Sequence, residues 1–326
     1  MKIGKLSHSE LQQLVLSRLP QAAGTVLAGP GIGLDCAAVR FSDGQVILTS
    51  DPITGAAADI GRLAVHISCN DIAACGIRPS VLMMVLLAPP SCEPDDIRQI
   101  IDQAAEAARK INVSIVGGHT EISDAVSRFV VITTAIGFTY GDSIIQSGSG
   151  RAGDTLLMTK TAGLEGTAIL AADQADKLAS HLSPDELARA RSLLGKISVI
   201  EEGTCGRRFN VHAMHDATEG GILGACWEMA EACGLGLVVD SAKIPIDPLT
   251  ERICQALDLD PLRLVSSGSL ILATSQPDDL IQELARKGVL CTAIGRLTAE
   301  PDRVLLTGDG SRELEPPGSD ELYKTL

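Results

Sequence analysis

Five acidic segments, most of them just after an apolar stretch, recur from the first fifth of this chain to about two-thirds of the way along. Each sits on a tight turn flanked by glycine or hydroxyl residues. They are Gly31-Ile-Gly-Leu-Asp35-Cys-Ala-Ala-Val39, Leu48-Thr-Ser-Asp51, Cys69-Asn-Asp71, Gly117-Gly-His-Thr-Glu121 and His215-Asp216-Ala-Thr-Glu219-Gly-Gly221. Turns of this design leave backbone N–H groups facing outward for an anion, while their carboxylates can hold a hard cation. One such segment is an ordinary solvated loop. Five of one design ask for a fold that gathers them around a metal-bridged phosphate ligand, most simply Mg-nucleotide.

The 326 residues permit two domains, each with its own core. Aromatics are only 2% against an apolar fraction of 45%, so that core has to be aliphatic. The same scarcity removes base-stacking surfaces, and a net charge of −14 repels polyanions, so no nucleic-acid partner is expected. The N-terminus carries no apolar leader, and runs such as 81–90 and 129–138 are too short to span a bilayer, so no membrane partner is expected either. The nine cysteines contain no C-x-x-C pair and mostly lie in apolar stretches. They read as buried free thiols in a reducing, cytoplasmic setting.

Ser7-His-Ser-Glu10 is a capping box that opens a helix to about Leu19. Cys36–Arg40 and Gln45–Thr49 read as strands around Ser42-Asp-Gly44, followed by a helix from about Asp59 to Ala74 that stops at Gly76. Strand 81–88, helix 93–111 and strands 112–116 and 129–138 complete a β-α-β-α-β-β order, close to the ferredoxin-like one with an extra strand at its start. The polar, flexible stretch 141–153 marks a boundary, giving domains 1–145 and 146–326. The second is again mixed: strands at 155–159, 211–215, 235–239, 264–274 and 289–295, helices from about 164, from 184 and over 220–233, another containing 281–286, and a hairpin at Gly308-Asp-Gly310.

Several residues admit two readings. Asp35 and Asp51 stand at opposite ends of neighbouring strands and return to one end if those strands form a hairpin. Asp71 lies within a helix with apolar neighbours, so it is either exposed or, if buried, in need of partners. Gly117-Gly118 is an ordinary turn or a close approach of ligand to backbone. Asp216-Ala-Thr-Glu-Gly-Gly221 joins a strand to a helix whose N-terminus can bind anions, although Thr218 also suits a plain N-cap. His212 and His215 face opposite sides of a strand, which disfavours a shared metal. Lys160 could meet a phosphate or solvent, and Cys36 is best read as a packed thiol. Neither a Ser-His-Asp elbow nor a Walker-type loop occurs, and the glycine-rich 29–33 does not join a strand to a helix as a dinucleotide fold requires.

In this order the five segments resemble the AIR synthase superfamily of ATP-utilising enzymes, over nearly the whole chain. That superfamily includes aminoimidazole ribonucleotide synthase, thiamine-monophosphate kinase, selenide-water dikinase and the hydrogenase maturation factor HypE. Segment 31–39 resembles the family's Gly-Asp-Asp-Ala-Ala-Val loop, Thr49-Ser-Asp51 its Thr-Asp turn, and Asn70–Pro79 its Asn-Asp-x-x-x-x-Gly-x-x-Pro helix end. Gly117–Thr120 and Asp216–Gly221 resemble its last two phosphate-site motifs. The resemblance implies a two-domain PurM-like fold, α/β then α+β, whose ferredoxin-like N-terminal domain supplies dimer-forming strands. It implies Mg-ATP in a cleft lined by both domains. Asp35, Asp51, Asp71 and Asp216 would hold magnesium, Asp71 and Asp216 acting in catalysis. Gly33, Ser50, Asn70, Gly117, Gly118, Thr120, Lys160, Thr218 and Glu219 would line the nucleotide.

Leu34 and His119 replace acids found in other members, each removing one oxygen ligand. Gly163-Leu-Glu-Gly166 and the Asp216 segment look closest to the HypE-like branch. HypE carries its carbamoyl group on a C-terminal cysteine; this chain ends Asp320-Glu-Leu-Tyr-Lys-Thr-Leu326, and its last cysteine is Cys291. The expectation is an ATP-dependent homodimer that activates an oxygen of a small-molecule or protein acceptor by phosphoryl transfer. The alternatives are an ATP-binding maturation scaffold without turnover and a thiamine-monophosphate-type kinase.

Overall fold

The computed structural model describes residues 8–14, 16–18, 26–28, 31–32, 34, 36–54, 59–140 and 144–325. Ser7 of the capping box, Gly33, Asp35 and residues 141–143 of the expected boundary lie outside the described residues.

Ten helices are described, beginning with α1 (His8–Leu14), α2 (Ile60–Ala74) and α3 (Pro94–Lys110). Six strands make the N-terminal sheet: β1 (Val26–Ala28), β2 (Ala37–Phe41), β3 (Gly44–Ile53), β4 (Pro79–Ala88), β5 (Ser114–Ile122) and β6 (Val130–Tyr140). Their order is β1-β2-β3-β6-β4-β5. The expected hairpin forms between β2 and β3, with Ala37 opposite Leu48. β4 and β5 run parallel, joined by α3, while β6 lies between β3 and β4 and is antiparallel to both. α2 is apolar almost all round and buried, so it is an internal helix, ended by a left-handed Gly76. α3 is amphipathic and opens on a reciprocal Glu93–Asp96 capping box with Pro94 in its first turn.

In one respect β5 departs from expectation. The strand does not stop at Val116 but continues through Gly117-Gly118-His119-Thr120-Glu121 to Ile122. Gly118 pairs with Met84, and a Cβ at Gly118 would lie 1.7 Å from the Met84 carbonyl oxygen. The glycine thus serves strand pairing rather than a turn.

The remaining helices are α4 (Leu164–Asp173), α5 (Ala175–Leu178), α6 (Pro184–Arg191), α7 (Ile200–Gly206), α8 (Gly221–Cys233), α9 (Pro248–Leu257) and α10 (Pro277–Arg286). The C-terminal sheet holds β7 (Thr155–Thr159), β8 (Val211–Asp216), β9 (Gly236–Asp240), β10 (Leu270–Thr274), β11 (Cys291–Thr298), β12 (Arg303–Thr307) and β13 (Gly310–Glu313). Its order is β13-β12-β9-β11-β7-β10-β8. Thr307 and Gly310 close the expected hairpin, but residues 264–269 form an irregular loop instead of extending β10. One apolar cluster runs from α2 and the N-terminal sheet into α4, α6 and α7 without a break, joining the two domains; a second lies between the C-terminal sheet and α8. No helix among the described residues is long and apolar enough to cross a membrane.

Candidate functional site

Strand alternation puts the odd residues of β3 on the face that α2 covers, so Thr49 and Asp51 point the same way. The Thr49 hydroxyl donates to Asp71 Oδ2 at 2.5 Å and stands 3.3 Å from Asp51 Oδ2. It has one proton, and the shorter contact takes it. Asp71 is buried in the last turns of α2 and partnered, as a buried helical carboxylate requires. Ser68 Oγ stands 3.4 Å from Asp51 Oδ2 but only 2.7 Å from Thr133 Oγ1, whose own proton goes to the Ala64 carbonyl at 2.7 Å. Among the described residues, Asp51 therefore has only distant hydroxyl donors. Two carboxylates beside one hydroxyl repel each other and favour a cation between them.

Asn70, beside Asp71, faces the C-terminal domain. Its amide donates to the Ile197 carbonyl at 2.9 Å and accepts from Val199 N–H at 3.0 Å. From the other side, Lys160 donates to the carbonyls of Ser198 (2.8 Å) and Gly268 (2.7 Å) and pairs with the buried Glu202. Burial lowers the Lys160 pKa, with Glu202 opposing the shift. Neither reading of Lys160 from the sequence, phosphate contact or solvent, describes this arrangement; the lysine is a strut beneath residues 197–199. Asn70 likewise spends its amide on backbone, and α2 packs against β8 and α7.

Asp216 is the buried last residue of β8, in register with Leu270 of β10. The turn that follows is tightly braced. Thr218 carbonyl accepts from Gly221 N–H at 3.1 Å and Ser266 N–H at 3.3 Å, and Ala217 N–H donates to Ser269 carbonyl at 2.9 Å. Gly221 is left-handed, and a Cβ there would lie 2.5 Å from Leu262 O, so the turn needs glycine at that position. Tyr323 hydroxyl donates to Glu219 Oε1 at 2.8 Å, and Gly220 N–H donates to Asp320 at 2.7 Å. Leu223 N–H is also taken, by Leu262 carbonyl at 3.2 Å. The start of α8 is thus satisfied largely by the chain itself.

Other named residues stand apart. Ser50 lies on the opposite face of β3 from Asp51, with its hydroxyl 3.0 Å from that of Thr134. Gly117, Gly118 and Thr120 sit on the exposed edge strand β5. Asp51, Thr133, Met84 and Gly118 form one register row, so Gly118 is three strands from Asp51, about 14 Å at the usual strand spacing. His119 lies 3.4 Å from Glu121 in solvent. The two strand histidines have separate partners: His212 Nδ1 lies 2.9 Å from Asp154, and His215 Nε2 lies 3.0 Å from Glu228. Among the described residues no three His, Cys, Asp or Glu side chains form a ready-made metal cage. Magnesium does not need one, since it commonly takes one or two carboxylates and fills its octahedron with water and phosphate. Cys36 is buried, as are most of the other cysteines; burial pushes the Cys226, Cys254 and Cys291 thiols up to about 12.

The residues not anticipated are those that aim or hold the acids: Thr49, Ser68 and Thr133 below Asp51 and Asp71, and Asp320 and Tyr323 behind the Asp216 turn. Thr49 was within reach, because a residue two before Asp51 on a strand shares its face.

Residues 33–139 match the AIR synthase related protein N-terminal domain, and residues 151–307 match the C-terminal domain of the same family. A protein of Methanocaldococcus jannaschii named for hydrogenase expression and formation is 29% identical over 98% of this chain and 96% of its own length. The carbamoyl dehydratase HypE of Rhodobacter capsulatus is 29% identical over 87% of this chain and 80% of its own. The solved structure of the hydrogenase maturation protein HypE in complex with ATP superposes with a TM-score of 0.68 at 22% identity, covering 98% of this chain and 97% of that one.

Proposed function

Because the chain belongs to the AIR synthase related family, in both its N-terminal and C-terminal domains, we propose that it is an ATP-dependent enzyme that activates an oxygen atom of its acceptor by phosphoryl transfer. The observation that carries this reading is the meeting of Asp51 and Asp71 at the Thr49 hydroxyl. Magnesium would be held by Asp51 and Asp71, with Asp216 from the second domain and Asp35 from the first acidic segment. Bound there, it would neutralise phosphate charge as the γ-phosphoryl group moves. The chain's own contribution is positioning: Thr49 aims Asp71, Asn70 holds the end of α2 against the C-terminal domain, and Tyr323 holds Glu219.

ATP in the solved HypE complex and the dehydratase name of the Rhodobacter relative support the chemistry. Dehydration needs an oxygen turned into a leaving group, and phosphorylation does this by moving the γ-phosphoryl group of ATP to that oxygen, with ADP departing. The described cysteines are buried or half-buried. In this reading the acceptor is another molecule, a small compound or a protein.

Magnesium-dependent ATP binding, followed by calorimetry, tests the reading. Asp51→Asn and Asp216→Asn should each weaken binding at least about tenfold, corresponding to about 1.4 kcal/mol. Unchanged affinity in both variants would overturn it.

A further inference from the structure

Residues 317–325 return to the Asp216–Gly221 turn and hold it at adjacent positions. Asp320 is buried, and its carboxylate accepts three backbone N–H groups: Gly220 at 2.7 Å, Leu322 at 2.9 Å and Val265 at 3.2 Å. Three residues on, Tyr323 hydroxyl donates to Glu219 Oε1 at 2.8 Å. Pro317 packs over Gly220, where an added Cβ would come within 2.9 Å of the proline ring. Two more contacts anchor the stretch from outside: Glu321 accepts from Asp260 N–H at 3.1 Å, and Gln174, just past the end of α4, donates to the Thr325 carbonyl at 3.1 Å.

Packing alone does not account for this choice of residues. A carboxylate that feels the charges of Glu219 and Glu165 is electrostatically unfavourable, and burial raises the Asp320 carboxyl to about 6. The contact persists because the acid satisfies amide groups at the start of α8 and at Val265 that would otherwise be buried without acceptors. Glu219 is restrained in turn by the Tyr323 phenol, which donates to it.

We infer that the C-terminal segment is a latch on the nucleotide site, with Asp320 and Tyr323 as positioning residues that fix Gly220 and Glu219 for the bound nucleotide. This rests on the reading of Asp216–Gly221 as part of that site. By linkage, a latch that favours nucleotide is itself tightened by nucleotide, to the same factor.

Hydrogen exchange of the 317–325 peptide, with and without Mg-ATP, reads the latch directly. Wild-type protein should exchange several-fold more slowly there when Mg-ATP is bound. Tyr323→Phe removes one oxygen from a half-buried ring and should fold normally. It should bind Mg-ATP about five- to tenfold more weakly and lose the nucleotide-induced protection. Asp320→Asn, which keeps the shape, should speed exchange at Gly220 even without nucleotide. If wild type and Tyr323→Phe bind Mg-ATP equally well and the peptide is indifferent to nucleotide, the latch is wrong and the site reading stands. If wild type does not bind Mg-ATP, the site reading fails and takes the nucleotide role of the latch with it. Exchange at Gly220 in Asp320→Asn then shows whether the segment holds the turn at all, and unchanged exchange removes that as well.

Discussion

Thr49 is a small residue between two charges, and its hydroxyl decides how they stand. Thr49→Val keeps the shape and removes the donor, leaving Asp71 buried without its short contact. A hydrogen bond to a charged group is worth about 1.5–3 kcal/mol. Urea denaturation should show a loss of that order, and Mg-ATP affinity should fall as Asp71 loses its aim. Glu165 belongs to the same scale. Burial raises its carboxyl from 4.5 to about 7, with Asp320 and Glu219 adding to the shift and Ser267 opposing it. The folded chain keeps a proton there that the unfolded chain has lost, so stability falls as pH rises from about 4.5 through 7. Glu165→Gln should accordingly melt higher than wild type at pH 8, by about 3 kcal/mol at most, and match it near pH 4. Equal melting at both pH values would show that the acid is not buried in its charged form. The acids at 51, 71 and 216 were legible in the sequence because their flanking residues were. Glu165 and Asp320 were not, because their burial depends on which distant segments close over them.

The elements follow periodicity closely in α2, α3 and α8, while β3 runs past the expected end at Thr49 to Ile53, so Asp51 lies within the strand and not on a turn. β5 shows where the pattern misleads. Two glycines after an apolar run read as a turn, yet the pairing of β5 with β4 continues through them because α3 delivers the strand parallel to a strand already in place. The two glycines should therefore behave differently. Gly118→Ala would place a Cβ 1.7 Å from Met84 O, whereas Gly117→Ala would meet nothing within 4 Å. Thermal unfolding should show the first destabilised by several kcal/mol, about the upper end for single substitutions, and the second by less than about 1 kcal/mol. Similar melting points for the two variants would mean that β5 does not pair as described. The Asn70 and Lys160 clamps on residues 197–199 belong to this scale too. Sequence spacing cannot announce them, since each joins backbone more than thirty residues away.

At the scale of the whole molecule, the N-terminal sheet has one finished face and one unfinished. α2 covers the odd residues of β3 and β6, while the even ones point away. On that second face Met83 is 47% and Phe138 51% exposed, with Val46, Leu48, Ile132 and Ile136 only partly covered. A contiguous apolar face of this kind marks an association surface. A second copy of the chain is the occupant we propose, in keeping with the dimer-forming strands implied by the family resemblance. The net charge of −14 works against self-association, so the apolar face has to supply the attraction, and added salt should strengthen the dimer by screening the repulsion. Phe138→Asp adds one charge per copy at the contact without touching the helix-covered core. Sedimentation should show wild type as a dimer at micromolar concentration and the variant as a monomer with a nearly unchanged melting point. Because Gly117, Gly118 and Thr120 stand about 14 Å from Asp51 within one chain, the monomer also reports on the site. If it binds Mg-ATP as tightly as wild type, those β5 residues are not supplied by a partner, whereas a parallel loss of dimer and of affinity would place part of the nucleotide site across the interface.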